Sequence, residues 1–140
     1  MSISLITTHL TVHDVDLALA FYRDTLGLTV TNDVKNDYGR WTSLQTPTQS
    51  DVTIVLSEPH AGRSPEDGDA LARLLAKGAL NGFIFAVDDL DATFEKIQAS
   101  GAEVLQEPMD QPYGVRDCAF RDPCGNLLRF NGSRGEAARG

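Results

Sequence analysis

An internal repeat is the feature of this sequence that most constrains its fold. The segment VHDVDLALAFYRDTLGLTV (12–30) resembles VDDLDATFEKIQASGAEV (87–104). The aligned residues are Val12, Asp14, Asp16 and Gly27 in the first copy and Val87, Asp89, Asp91 and Gly101 in the second. An aspartate at a helix start accepts hydrogen bonds from free backbone N–H groups, and glycine readily takes the left-handed conformation that ends a helix. The chain is therefore predicted to contain one supersecondary unit twice.

Each repeat is predicted to continue into three strands. The first copy contains LTVTNDV, RWTSLQ and DVTIVLS, and the second contains AEVLQEP, VRDCAFR and NLLRFN. Apolar and polar residues alternate in several of these segments, as in a sheet whose one face is covered by helices. The predicted fold class is α+β, built from two βαβββ modules. Module one spans 3–58 and module two spans 81–131.

The remaining segments are a helical linker and a tail. The linker, 59–80, contains a helix start at Ser64-Pro65, where a capping serine precedes a proline at the first helical position. Together the two modules and the linker are predicted to form a single domain, 1–131. The last residues, 132–140, are small and polar (GSRGEAARG) and are predicted to be a disordered tail.

Composition excludes several classes of partner. The 140 residues include 12 Lys+Arg and 20 Asp+Glu, a net charge of −8, whereas nucleic-acid binding needs a basic surface. No apolar run reaches the roughly 20 residues of a membrane span, and no basic segment of the signal-peptide type opens the chain. The two cysteines, Cys118 and Cys124, form neither a metal motif nor a disulfide framework. We predict a cytoplasmic protein with free thiols and with no nucleic-acid or membrane partner.

Three segments resemble the vicinal oxygen chelate superfamily, which includes glyoxalases, bleomycin resistance proteins and extradiol dioxygenases. They are HLTVHDVDLALAFYRDTLGLTV, GFIFAVDDLDATFEKIQASGAEVLQEP and the turn-containing segment FRDPCGNLLRF. The resemblance covers nearly all of 3–131. It implies a glyoxalase-like fold in which the two modules form a curved mixed sheet around a cleft, a small-molecule ligand, and a homodimer.

The resemblance also implies where a metal would be bound. Metal-dependent members hold a divalent ion with histidines and glutamates, and the matching positions here carry Thr7, Val55, Gly82 and Arg129. None is a good ligand, and the fixed positive charge of Arg129 would strongly repel a dication. We therefore predict no cofactor and no metal. The alternative is a divalent metal in an atypical site around His9. If the alignment of the first strand is shifted by two residues, His9 takes the ligand position instead of Thr7.

Five residues are predicted to contact a ligand: His9, Trp41, Tyr113, Asp117 and Arg129. Arg129 either clamps an anion or pairs with Asp117 on the neighbouring strand. His9 is either a hydrogen-bonding or general-base residue, or is satisfied by a neighbour. Trp41 either stacks on a planar ligand or belongs to the core, and Tyr113 either borders the cleft or only shapes a turn.

The favoured function is that of a glyoxalase/bleomycin-resistance-type protein that binds a small organic molecule without the usual catalytic metal. Whether it is an enzyme stays open. The alternative is a metal-dependent or metal-free lyase, isomerase or dioxygenase that acts on a small metabolite. A third hypothesis is an interaction module without a small-molecule role.

Overall fold

A computed structural model of the chain describes residues 1–37 and 39–133. The chain divides into two compact units, Met1–Lys77 and Gly78–Gly140, and each contains one four-stranded sheet. Both sheets are mixed, with one parallel and two antiparallel strand pairs. The predicted α+β class and the βαβββ order of each module are confirmed.

The first unit follows the order of the predicted module and adds a helix. Its elements are β1 (Thr7–Thr11), α1 (Val15–Leu19), a π-helical segment (Ala20–Thr25), β2 (Thr29–Asn36), β3 (Gly39–Thr46), β4 (Gln49–Ser57) and α2 (Pro65–Ala76). The strand order in the sheet is β1-β4-β3-β2, with β1 parallel to β4. The predicted linker helix, α2, therefore belongs to the first unit.

The second unit repeats this topology. Its elements are β5 (Asn81–Ala86), α3 (Leu90–Ala99), β6 (Glu103–Asp110), β7 (Val115–Arg121) and β8 (Leu127–Ser133), in the sheet order β5-β8-β7-β6. The prediction of a tail from residue 132 is wrong at its boundary, because β8 pairs with β7 as far as Ser133. The rest of the predicted tail, 134–140, lies outside the described residues.

The helix signals of the repeat are present in both copies. Asp14 accepts a hydrogen bond from Leu17 N at 3.0 Å, and Asp89 accepts one from Ala92 N at 3.1 Å. Gly27 and Gly101 have φ angles of 81° and 93°, which strain any residue with a side chain. The unpredicted feature is the π-helical segment after α1. There the adjacent aromatics Phe21 and Tyr22 are both buried, with their rings perpendicular and 5.1 Å apart.

A second pair of repeated aspartates has a role that the sequence analysis missed. Asp16 in α1 pairs with Arg40 in β3 at 2.9 Å, and Asp91 in α3 pairs with Arg116 in β7 at 3.0 Å. Each arginine also pairs with an aspartate of the adjacent strand, Asp33 and Asp110 respectively. In both units a guanidinium thus joins the helix start to two strands of the sheet.

The buried core of each unit lies on the helix-covered face of its sheet. In the first unit the side chains of Leu10, Leu44 and Leu56 are at most 3% exposed. In the second unit Phe120, Leu128 and Phe130 are equally buried, and Phe120 packs against Phe94 of α3. The opposite faces carry the candidate ligand residues. No helix within the described residues combines the length and low polarity that a membrane crossing requires.

Candidate ligand-binding site

A pocket of about 680 Å³ lies on the second face of the first unit's sheet, which is the face opposite the helix-covered core. Strands β1, β3 and β4 contribute its floor, with side chains that include His9, Trp41, Val55 and Ser57. Alternation explains this placement, because these residues point away from the helix-covered face. The loop of residues 58–63 forms a wall through Glu58, His60, Ala61 and Arg63. The predicted candidates His9 and Trp41 are therefore brought together.

His9 is oriented by two neighbours in this pocket. Its Nδ1 lies 2.9 Å from Ser57 Oγ, and its ring meets the Trp41 ring edge-on, with centroids 6.3 Å apart. The described residues give Nε2 no hydrogen-bond partner, so one ring nitrogen is fixed and the other is open to a ligand. Trp41 is 50% exposed, so the alternative that it belongs to the core is wrong.

The pocket wall is attached to α2 by a close contact. His60 Nε2 lies 2.8 Å from Asp69 Oδ1, and the His60 ring packs directly on the backbone of Gly68. A Cβ at Gly68 would overlap three atoms of that ring. Glycine inside a helix costs about 1 kcal/mol relative to alanine, and here the missing side chain makes room for His60.

In the second unit, Asp117 is the centre of a polar cluster. Its carboxylate is fully buried. Oδ1 accepts hydrogen bonds from Gln106 Nε2 at 2.7 Å and Gln111 Nε2 at 2.9 Å. Oδ2 accepts bonds from Tyr113 Oη and Arg129 Nη1, both at 3.3 Å. Three predicted candidates, Tyr113, Asp117 and Arg129, therefore lie in direct contact.

The cluster answers one of the open questions about Arg129. The ion pair with Asp117 is present, and Arg129 Nη1 also donates to Gln106 Oε1 at 3.0 Å. Burial by itself raises the pKa of the Asp117 carboxyl. The hydrogen bonds from Gln111 and Gln106 and the charge of Arg129 outweigh burial, so that the pKa lies below its ordinary value. The Arg129 side chain remains 31% exposed, which leaves part of the guanidinium accessible.

The positions that the family resemblance implies for a metal carry poor ligands in this chain, and Thr7 offers only a neutral hydroxyl. Val55 has no donor atom and pairs with His9 across β1 and β4. A Cβ at Gly82 would lie 2.8 Å from Leu128 Cδ2 and 2.9 Å from the Leu127 carbonyl oxygen, so no ligating side chain fits there. Arg129 is cationic and already paired. Among the described residues no group of three or more His, Cys, Asp or Glu side chains is placed to hold an ion.

The cysteines are not among the candidate ligand residues, although Cys118 follows Asp117 directly in β7. Neither Cys118 nor Cys124 forms a disulfide, as the sequence predicted, and both are buried. Burial and the neighbouring Asp117 charge raise the pKa of the Cys118 thiol to about 11, so the reactive thiolate is scarce at neutral pH.

The sequence analysis missed the side chains that orient the candidates. Ser57 holds His9, while Gln106 and Gln111 hold Asp117. Strand alternation in DVTIVLS places Ser57 on the same face as Val55, away from Leu56, but it does not show that Ser57 meets His9. No comparable signal exists for Gln106, because β6 carries irregularities on both sides of it that break the alternation.

Two βαβββ units, each with the helix of its repeat on one face of the sheet and polar side chains on the other, define a protein of the glyoxalase-like α+β class. The chain belongs to the Glyoxalase/Bleomycin resistance protein/Dioxygenase superfamily, whose family model matches residues 4–130.

Individual relatives match nearly the whole chain. The uncharacterized protein YurT of Bacillus subtilis is 29% identical over 126 residues, which are 90% of this chain and 96% of YurT. Among solved structures, UcmS2 is 30% identical with a TM-score of 0.85, covering 94% of this chain and 98% of UcmS2. TnmS3, described as an antibiotic binding protein from Streptomyces sp. CB03234, is 29% identical with a TM-score of 0.73, covering 95% and 98% of the respective chains.

Proposed function

We propose that this protein binds a small organic molecule in the pocket of the first unit, without the catalytic metal that metal-dependent relatives use. The observation that carries the proposal is the open pocket of about 680 Å³ in which Trp41 and His9 lie side by side. Ligand pockets combine apolar or aromatic surface with a few placed polar groups, and this one offers an indole, an imidazole and a hydroxyl. Antibiotic binding by TnmS3 supports a drug-like ligand.

The metal-free part of the proposal rests on residue chemistry. Zinc, iron and manganese sites need several nitrogen, sulfur or oxygen ligands. The pocket lining contains His9, Glu58 and His60, but no three His, Cys, Asp or Glu side chains of the described residues are placed to hold an ion together. Elemental analysis of protein purified without chelator tests this part. Stoichiometric metal that is lost in His9→Ala would refute it and favour the alternative of a metal-dependent enzyme.

Trp41 makes the binding experiment specific to the pocket, because it is the only tryptophan in the chain. A thermal-shift screen of antibiotics, beginning with bleomycin, would identify ligands that stabilise the folded protein. A ligand present at 100 times its Kd adds about 2.7 kcal/mol to the free energy of unfolding. Each hit is then titrated while the Trp41 fluorescence is recorded, and we expect its intensity or wavelength to change.

Two variants locate the binding. Trp41→Ala should abolish the thermal shift, whereas Leu17→Ala should retain it, because Leu17 is an exposed apolar residue of the same unit outside the pocket lining. Hits that stabilise both variants equally and leave Trp41 fluorescence unchanged would refute binding in this pocket.

Three finer expectations belong to the same proposal. In the second unit, Arg129 and Tyr113 are proposed to contact a ligand while Asp117 holds them in place. A homodimer is supported by exposed apolar side chains on that unit, with Ile84 67% and Tyr113 69% exposed. The buried free thiols are consistent with a cytoplasmic location. Light scattering coupled to size-exclusion chromatography measures the oligomeric state.

A further inference from the structure

One arginine in the wall of the pocket differs from most others in the chain. Arg23, Arg40, Arg116, Arg121 and Arg129 each pair with a carboxylate. Arg63 and Arg73 have no carboxylate within ion-pair distance among the described residues. Of these two, only Arg63 lines the pocket. A guanidinium keeps its charge at any physiological pH, so Arg63 brings an uncompensated positive charge to the wall.

The loop holds Arg63 in position without neutralising it. Arg63 Nη1 donates to the carbonyl oxygens of Pro59 at 3.1 Å and Ala61 at 3.4 Å. Two further backbone bonds tighten the loop, from Ala61 N to Glu58 O at 3.0 Å and from Arg63 N to His60 O at 3.2 Å. These contacts leave the other N–H groups of the guanidinium available for a ligand. A donor that is already ordered loses less entropy on binding.

The loop is in turn held against α2 by His60. Its ring occupies the space above Gly68 and its Nε2 bonds to Asp69. These contacts fix the segment that carries Arg63. Asp69 and Gly68 have no place in the pocket lining, so their contribution to the pocket is to position its wall.

From this arrangement we infer that the pocket selects aromatic ligands that carry an acidic group, with the ring beside Trp41 and the anion bonded to Arg63. The inference rests on the proposed function and specifies its ligand class. The other lining arginine, Arg40, already pairs with Asp33 and Asp16. The one lining carboxylate, Glu58, has no ion-pair partner among the described residues. Its negative charge repels an anionic ligand and therefore weakens the binding that Arg63 provides.

A pair of matched probes separates binding of an aromatic ring in the pocket from selection of an acidic group by Arg63. 2-Naphthoate and 2-naphthamide share one aromatic ring system and differ in charge. Binding is measured by calorimetry and by the shift of the single Trp41 indole resonance in NMR spectra. We expect 2-naphthoate to bind about tenfold more tightly, the effect of one charge-assisted hydrogen bond. Arg63→Gln should remove this preference, with a larger loss of affinity for 2-naphthoate than for 2-naphthamide.

Arg73→Gln is the matched control, because it removes the same charge from the same unit at an exposed position outside the pocket. It should keep the preference for 2-naphthoate. Glu58→Gln should strengthen 2-naphthoate binding by about two- to threefold, the effect of removing one screened like charge. Equal affinities of the two probes, or a preference that survives Arg63→Gln, would overturn the inference and leave the proposed pocket intact. If neither probe shifts the Trp41 resonance, the inference and aromatic binding in this pocket both fail.

Discussion

Replacing Asp117 by asparagine should destabilise the second unit far more than the loss of one charge suggests. All four side-chain groups around the carboxylate are donors, two on each oxygen. An asparagine supplies only one acceptor oxygen, so its NH₂ group must face two donors in either orientation. At least two hydrogen bonds are lost, and the Arg129 charge keeps no carboxylate partner.

The size of the effect follows from burial. Each lost hydrogen bond in a buried site costs about 1 kcal/mol, and more where one partner is charged. Breaking a fully buried ion pair costs about 3–5 kcal/mol, but Arg129 is 31% exposed and water compensates part of that loss. We expect the free energy of unfolding to fall by about 2–4 kcal/mol. For a chain of this size the Tm should then fall by roughly 6–12 °C.

The pH dependence provides a second readout of the same variant. Because the folded-state pKa of Asp117 is depressed, the native protein holds this proton less readily than the unfolded chain. Its contribution to stability is complete above the unfolded pKa of about 4 and is lost as the pH falls through the folded pKa. The difference in unfolding free energy between wild type and Asp117→Asn should therefore shrink below about pH 4.

Urea denaturation between about pH 3 and pH 7, followed by circular dichroism, measures both effects. Asp24→Asn is the control, because Asp24 makes an exposed ion pair with Arg23 and its replacement should leave the free energy of unfolding nearly unchanged. An Asp117→Asn variant as stable as this control at pH 7 would refute the reasoning. A difference that stays constant into the acid range would refute the pH argument alone.

Three other perturbations test separate contacts. Gly68→Ala should change stability little, because the gain in helix propensity offsets the displaced His60 ring, but it should stabilise a His60→Ala background by about 1 kcal/mol, as a double-mutant cycle in urea measures. Equal effects in both backgrounds would contradict the packing of His60 on Gly68. Cys118 and Cys124 should react with a thiol reagent only after unfolding, since both are buried and the Cys118 pKa is about 11; rapid reaction of the native protein would contradict this burial. The Asp33 carboxyl should titrate at about pH 2 in NMR spectra, because its arginine partner lowers its pKa; an ordinary pKa near 4 would mean that the ion pair does not persist in solution.

The parts of the fold that sequence predicts well are those set by local chemistry. Asp14 and Asp89 cap helices through hydrogen bonds to residues three positions later, and Gly27 ends its helix through its own backbone freedom. Strand alternation separates His9 from the core side chains in the same way. Such signals need no knowledge of distant residues.

The contacts that were missed depend on register or on loop conformation. Ser57 meets His9 because β1 and β4 run parallel, with Ser57 two positions beyond the direct partner of His9. Gln106 reaches Asp117 past the irregularity in β6 that separates it from Met109, the direct partner of Asp117. His60 meets Gly68 only because the loop turns back onto α2. Single-sequence patterns do not determine these long-range arrangements, and most of the site's orienting contacts belong to this group.

The two copies of the repeat share the contacts that join helix to sheet and differ in the side chains on the face of the sheet opposite the helix. The helix caps and the ion pairs from Asp16 to Arg40 and from Asp91 to Arg116 occur in both units. The second faces differ at equivalent positions in the sheets. In the first unit His9 lies opposite Val55, whereas the matching strand pair of the second unit places Ile84 opposite Arg129.

The residue that follows each repeated arginine differs in the same way. Trp41 comes after Arg40 in β3, and Asp117 comes after Arg116 in β7. The matched positions therefore carry an aromatic and imidazole surface in one unit and a charge-paired guanidinium in the other. Because the shared residues are those that join helix to sheet, they account for the fold. The residues that differ between the copies give the two units different candidate ligand-binding chemistry, so the proposed function depends on them.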